Sequence, residues 1–252
     1  MFRGYNLTLG DIDFSDYVDE GRNIHEQNKE SVRTKLESFQ DENGQLVASE
    51  IIANWFPPVK VNVFLSHSHK DEATVIGLAG FLHEELGLTS FIDSCIWGYS
   101  AELLRLIDEE YCYQPSRNTY SYDKRNRSTS HVHMMLSTAL SKMIYSSECI
   151  MFVNTPHSIS PQEYITSGGT TDSPWIYTEI SMTTLVQKRS PLEHRGLSKS
   201  ARTLDSLTED FRVTYDVDLR HLTDLNGEDL VVWSGCNARG VAALDALYKR
   251  KG

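Results

Sequence analysis

The sequence predicts an α/β chain built on a doubly wound sheet of about five mainly parallel strands. Three observations carry that reading. Val61-Asn62-Val63-Phe64-Leu65 and Cys149-Ile150-Met151-Phe152-Val153 are short apolar runs, the second unbroken, as expected of strands buried on both faces. Each is followed or preceded by helical periodicity, at Val75, Leu78, Ala79, Leu82 and Leu86 and at Val132, Met135, Leu136, Ala139, Leu140, Met143 and Ile144. Ser173-Pro174 then gives a specific helix start, a capping serine with proline at the first helical position, for a helix from Trp175 to about Val186.

With 252 residues, 40% hydrophobic and 23% charged, the chain has the composition of a folded protein and can bury one sizeable core plus an elaboration. Residues 1–58 read as an N-terminal helical extension. They are polar and acid-rich, with a weak stripe at Ile24, Val32, Leu36 and Phe39, a turn at Asp41-Glu42-Asn43-Gly44, and Pro57-Pro58 at the end. Residues 59–252 read as the α/β domain. After the first strand, Ser68 and Asp71 have the spacing of a capping box, which turns the N–H groups of the next helix toward the loop Ser66–Asp71. Thr89-Ser90-Phe91-Ile92 is a second strand ending at Asp93, and Ala101–Ile107 opens another helix. Residues 111–130 carry no periodicity and read as a long loop insertion, with Lys124, Arg125 and Arg127 close together and the next helix capped near Ser130. Phe211, Val213, Tyr215 and Val217 alternate as a strand, Leu230–Trp233 reads as a last short strand, and Val241, Leu244, Leu247 and Tyr248 mark a terminal helix.

A formal charge of −11 disfavours unspecific nucleic-acid binding. Cys95, Cys112, Cys149 and Cys236 show no paired spacing, which fits a reducing cytoplasm. No run approaches the roughly 20 apolar residues of a membrane span, and Met1-Phe2-Arg3-Gly4 lacks a signal-peptide core, so the expected location is cytoplasmic.

In doubly wound sheets ligands bind beyond the carboxyl ends of the strands, where Ser66, Asp93 and Asn154 are expected. Trp175 and Glu179 are four apart and share one helix face. An aromatic plane beside a carboxylate can hold a heterocycle and stabilise an oxocarbenium-like state on the attached sugar. The same pair can equally be a half-buried anchor and a solvated charge.

Val63-Phe64-Leu65-Ser66-His67, Ser147-Glu148-Cys149-Ile150-Met151-Phe152-Val153 and Ser173-Pro174-Trp175-Ile176-Tyr177-Thr178-Glu179-Ile180 resemble, in order, the first box, the third strand and the Ser-x-Trp-x-x-x-Glu box of Toll/interleukin-1 receptor (TIR) domains. The likeness covers roughly residues 59–250, interrupted by the 111–130 loop. It implies a flavodoxin-like fold and an NAD glycohydrolase or cyclase that cleaves the nicotinamide–ribose bond. Glu179 would be catalytic, with Ser66, His67, Asp93, Trp97 and Trp175 around the substrate. NAD is then a substrate, and no separate cofactor or metal is expected. The resemblance also implies self-association through the domain, a product that is linear, cyclic or conjugated ADP-ribose, a downstream effector sensing it, and a role in bacterial antiphage defence. One departure stands out: Phe91-Ile92-Asp93-Ser94-Cys95-Ile96-Trp97-Gly98 keeps the acid of the family's second box but lacks its arginine and Pro-Gly turn. That weighs against receptor-style docking and leaves Trp97 either a mobile stacking residue or a plug at the sheet edge.

Two other readings compete. His67-x-His69-x-Asp71 matches the first part of a zinc-hydrolase motif, although Glu72 stands where that motif has a further histidine. A TIR-like module that only assembles with other such domains is the second. A dehydrogenase is disfavoured because no Gly-x-Gly-x-x-Gly follows a strand.

Overall fold

The computed structural model describes residues 2–29, 39–42, 46–56, 60–159, 168–171, 173–186, 188–196 and 215–251. The chain opens with β1 (Arg3–Thr8), α1 (Val18–Lys29) and α2 (Ala48–Trp55), then runs β2 (Val63–Ser66), α3 (Glu72–Leu86), β3 (Ser90–Ile92) and α4 (Ser94–Ile107). A hairpin of β4 (Tyr113–Gln114) and β5 (Thr119–Tyr120) leads into α5 (Tyr122–Ser146) and β6 (Cys149–Val153). There follow β7 (Gly168–Thr171), α6 (Pro174–Leu185), α7 (Pro191–Gly196), β8 (Tyr215–Asp218), β9 (Thr223–Asn226), α8 (Gly227–Ser234) and α9 (Val241–Lys251).

The central sheet has five parallel strands in the order β3-β2-β6-β1-β9, flanked by helices on both faces in the manner of flavodoxin-like doubly wound folds. Period-2 alternation decides which side chain meets which layer. Tyr5, Leu7, Val63, Leu65, Met151 and Val153 face α3, α8 and α9, where Leu78, Leu82, Leu230 and Leu244 complete one core. Phe64, Phe91 and Ile150 face the other way, toward Leu103 of α4, Leu136 and Leu140 of α5 and Trp55 of α2. Phe152 shares that second face and packs with Ile176 and Ile180 of α6.

Arg3–Thr8, expected in the N-terminal extension, belongs to the central sheet. β1 lies inside the sheet, hydrogen-bonded to β6 on one side and β9 on the other. A Cβ on Gly4 would come within 2.6 Å of Cδ2 of Leu222, the end of a side chain that would have to shift. Nor is residue 111–130 a structureless loop. Asp108–Cys112 makes a π turn, the β4–β5 hairpin follows, and α5 begins at Tyr122 rather than near Ser130. Lys124 and Arg125 fasten this region, through the Tyr111 carbonyl at 3.0 Å and the Asp108 carboxylate at 2.8 Å.

Leu230–Trp233, expected as a strand, is helical. Asn226 and Asp229 form a reciprocal capping box that starts α8 straight out of β9, and Trp233 is held by its indole N–H to the Ala243 carbonyl at 2.8 Å. β8 pairs with β7 outside the central sheet, and the fifth sheet strand is Thr223–Asn226. The expected capping box at Ser68 is half made: Ser68 accepts from the Lys70 N–H, but Asp71 turns to other partners. Phe39 of the predicted N-terminal stripe is buried against α2, whereas Val32, Leu36, Pro57, Pro58, Phe211 and Val213 lie outside the described residues.

On the α3 face, α1 approaches so closely that only glycine fits. A Cβ on Gly21 would sit 1.9 Å from the Ile76 carbonyl oxygen, and one on Gly80 would sit 2.0 Å from that of Tyr17. Backbone oxygens give no way to relieve such a clash except by separating the helices. Gly80→Ala should therefore lower stability by about 1–3 kcal/mol in urea unfolding. Removing residues 2–9 takes out a central strand, so the truncated chain should lose its cooperative unfolding transition. A truncated chain that melts like the whole one would return these residues to the status of an appendage.

Candidate active site

The chain winds from β2 through α3 to β3 at one edge, then crosses back past β2 to β6. β2 and β6 therefore flank the point where the winding reverses, and crevices beyond the carboxyl ends of such strands are where doubly wound sheets bind ligands. Ser66 ends β2 and stands in register with Phe152 of β6. Both point to the face covered by α6, whose buried stripe is Ile176, Glu179, Ile180 and Thr183. Because Phe152 packs with Ile176 and Ile180, the residue between them on the stripe is delivered to Ser66. That residue is Glu179, and its Oε2 accepts a short hydrogen bond from the Ser66 hydroxyl.

Ser173 fixes where this helix starts, its Oγ accepting from the Ile176 N–H at 3.3 Å with Pro174 at the first helical position. The sequence reading of this helix start and of its Trp–Glu pair is reproduced in position. Glu179 is only 2% exposed, and besides the Ser66 hydroxyl its carboxyl group meets that of Asp93.

Beside it lie two further groups at the ends of the same strands. Asp93, 1% exposed, follows β3, and its Oδ1 is 2.5 Å from Nδ1 of His67, whose ring is fully enclosed. The pair is close enough for a charge contact, although Oδ1 and Nδ1 are not aligned as a hydrogen bond. Burial, the largest single influence, drives the His67 pKa down, but the charge and close contact of Asp93, with smaller contributions from the Leu65 backbone and Glu72, together outweigh it and the net shift is upward. Glu179 is pushed well above the ordinary carboxylate range, first by burial and then by the charge of Asp93, while the Ser66 hydrogen bond pulls the other way. Both shifts favour the protonated forms of His67 and Glu179.

The remaining sequence-predicted residues fare differently. Trp175 is half-buried and meets the ring of His133 edge-on at 5.3 Å, so it packs on α5 one turn from Glu179. Burial lowers the pKa of that histidine. The backbone of Trp97 lies in α4, and its side chain is outside the described residues. Arg125 and Lys124 are committed to the hairpin region, as above.

His67, His69 and Asp71 do not converge. His67 turns to Asp93, while Asp71 pairs with Nδ1 of His157 at 2.7 Å and accepts the Thr155 hydroxyl at 2.6 Å. Among the described residues no three His, Cys, Asp or Glu side chains are grouped to hold a metal ion. Thr155 and His157 were missed by sequence reasoning, although they directly follow Asn154, a residue expected at this rim. Asn154 itself donates to Asn6 at 3.0 Å, and Asn6 to Asp224 at 3.1 Å, a polar ladder across the ends of β6, β1 and β9.

A raised folded-state pKa means that folding favours the protonated acid. The resulting stability is complete below the unfolded value and is lost as pH climbs through the folded one. Glu179→Gln, which keeps the shape and stays neutral, should match the wild type in acid and become progressively more stable than it as the pH rises above the ordinary carboxylate range. Urea midpoints that stay parallel as the pH rises would show an ordinary carboxylate.

No protein-family model, curated protein or solved structure matches this chain.

Proposed function

We propose that the chain is a TIR-like NAD glycohydrolase or cyclase, with Glu179 as the residue that acts on the ribosyl centre. The observation that carries this reading is the burial of Glu179 against Ser66 at the winding-reversal point, without a cationic partner of its own. A carboxyl group kept in such a place costs stability, and perturbed acids in ligand-binding positions are candidates for chemistry. The likeness of the Ser173–Ile180 segment to the TIR helix box supports the same assignment, as do Ser66, His67 and Asp93 around it.

The chemistry asks Glu179 to be charged when the bond breaks. Burial favours its neutral form, and the approach of a cationic nicotinamide ring favours the carboxylate by direct charge interaction. Ser66 holds Oε2 in place, and the charged carboxylate is then the acceptor for a ribose hydroxyl. As the bond to nicotinamide lengthens, the carboxylate stabilises the developing oxocarbenium charge, and the base leaves without needing an acid. Attack by water yields ADP-ribose, and attack by another nucleophile yields a cyclic or conjugated product.

Ser66, His67, Asp93 and Glu179 are all 4% exposed or less, so substrate reaches them only when the rim over them parts. Self-association of the domain is the event we propose for this step. A role in antiphage defence, through NAD depletion or a signal read by a downstream effector, follows from the same resemblance. So does a cytoplasmic location. No described helix is long and apolar enough to cross a membrane, and Cys112, Cys149 and Cys236 are free thiols.

Concentrated protein should release nicotinamide from NAD, in the presence of chelator, with Glu179→Gln reducing the rate by at least about a hundredfold. Mass spectrometry of the products identifies the nucleophile. Intact NAD at every protein concentration would remove the enzymatic reading and leave an assembly module.

A further inference from the structure

We propose that a cavity at the opposite, amino end of the sheet is a binding site for a small phosphate-bearing anion. Its volume is about 350 Å³, at the lower end of the range for small-molecule pockets. Arg3 and Gly4 at the start of β1 and Thr223 at the start of β9 form one wall, so it lies across the sheet from the Glu179 rim. Lys188, Arg189 and His221 line the rest.

The lining holds three cationic side chains and a histidine and no carboxylate, in a chain whose formal charge is −11. A concentration of one sign against the overall balance has to be maintained against repulsion among its members, and an anion is what relieves it. Lys188 and Arg189 are in no ion pair with a carboxylate among the described residues, although Glu193 feels the charge of Arg189. The Arg189 guanidinium lies over the Tyr145 ring, its Cζ 3.9 Å from the ring centroid, a cation–π contact.

Among the lining residues Arg3 carries a buried donor nitrogen, Nη1, with no hydrogen-bond partner among the described residues. Buried donors are nearly always satisfied, so this one, on a residue that lines a cationic cavity, is a place for a ligand oxygen. A phosphate group offers enough acceptors to meet several donors at once, which a single carboxylate does less well.

The site is also tied to α6. Nε2 of His221 is 2.6 Å from the hydroxyl of Thr183, which in turn donates to the Ile180 carbonyl. Thr183 lies one turn beyond Glu179 on the same buried stripe. Binding in the cavity does not depend on the NAD reading, and it is tested without any turnover.

Isothermal titration with inorganic phosphate, and separately with ribose 5-phosphate, at low ionic strength is the experiment. The wild type should bind saturably, and Lys188→Glu/Arg189→Glu should weaken binding by about tenfold or more while keeping the wild-type circular dichroism and melting temperature. Should that pair unfold, Lys188→Gln, at an exposed position, gives the same comparison with a smaller loss. Non-saturating heats, or equal affinity in wild type and folded variants, would overturn the proposal.

Discussion

The contact between Ser66 and Glu179 depends on three separate levels of the structure being right at once. The strand must end at Ser66, the register must set Ser66 against Phe152, and α6 must lay its stripe over both. Ile176 and Ile180 bind the helix to the sheet through apolar burial, and the carboxyl group between them is carried into the interior as a consequence. A hydrogen bond to a buried acid contributes on the order of 1–3 kcal/mol, far less than the apolar packing that surrounds it. Packing therefore positions the acid, and the acid does not hold the helix.

The electrostatics follow from that placement. Water is excluded from Glu179, His67 and Asp93, so their mutual charges are weakly screened and each sets the protonation of the next. Asp93 is placed to favour a charged His67 and an uncharged Glu179 at the same time. A second acid–imidazole contact, Asp71 with His157, lies further along the same rim, and there the histidine is half exposed. The two contacts give the carboxyl end of the sheet a mixed, locally neutralised character, in contrast to the cationic cavity at the amino end.

Much of the scaffold was legible in the sequence because apolar continuity leaves a strong trace. Cys149–Val153 and Val63–Ser66 are buried along their whole length, and α3 and α5 carry unmistakable apolar periodicity. β1 and β9 left almost none. Arg3-Gly4-Tyr5-Asn6-Leu7-Thr8 and Thr223-Asp224-Leu225-Asn226 mix polar residues into strands whose polar members sit at the sheet ends or bond one another, as Asn6 does with Asp224. Leu230-Val231-Val232-Trp233 was misread because a four-residue apolar run fits either period, and the Asn226–Asp229 capping signal that decides it lies just upstream. At the site, the strand-end position of Ser66 and Asp93 and the helix position of Glu179 were all readable. The partners were not: that Asp71 meets His157 and Thr155, or that His67 meets Asp93, depends on loops converging across the rim, which spacing along the chain does not encode.

The account stands on Glu179 being a protonated acid held out of water beside Ser66 at neutral pH. Infrared difference spectroscopy of wild type against Glu179→Gln reads this directly, because a carboxylic acid and a carboxylate absorb at separate frequencies. The account predicts a protonated carboxyl band at neutral pH that is present in the wild type and missing from the variant, and that disappears only when the pH is raised well beyond the ordinary carboxylate range. A difference spectrum containing only carboxylate bands at neutral pH would contradict it, and would place Glu179 among the ordinary charged residues.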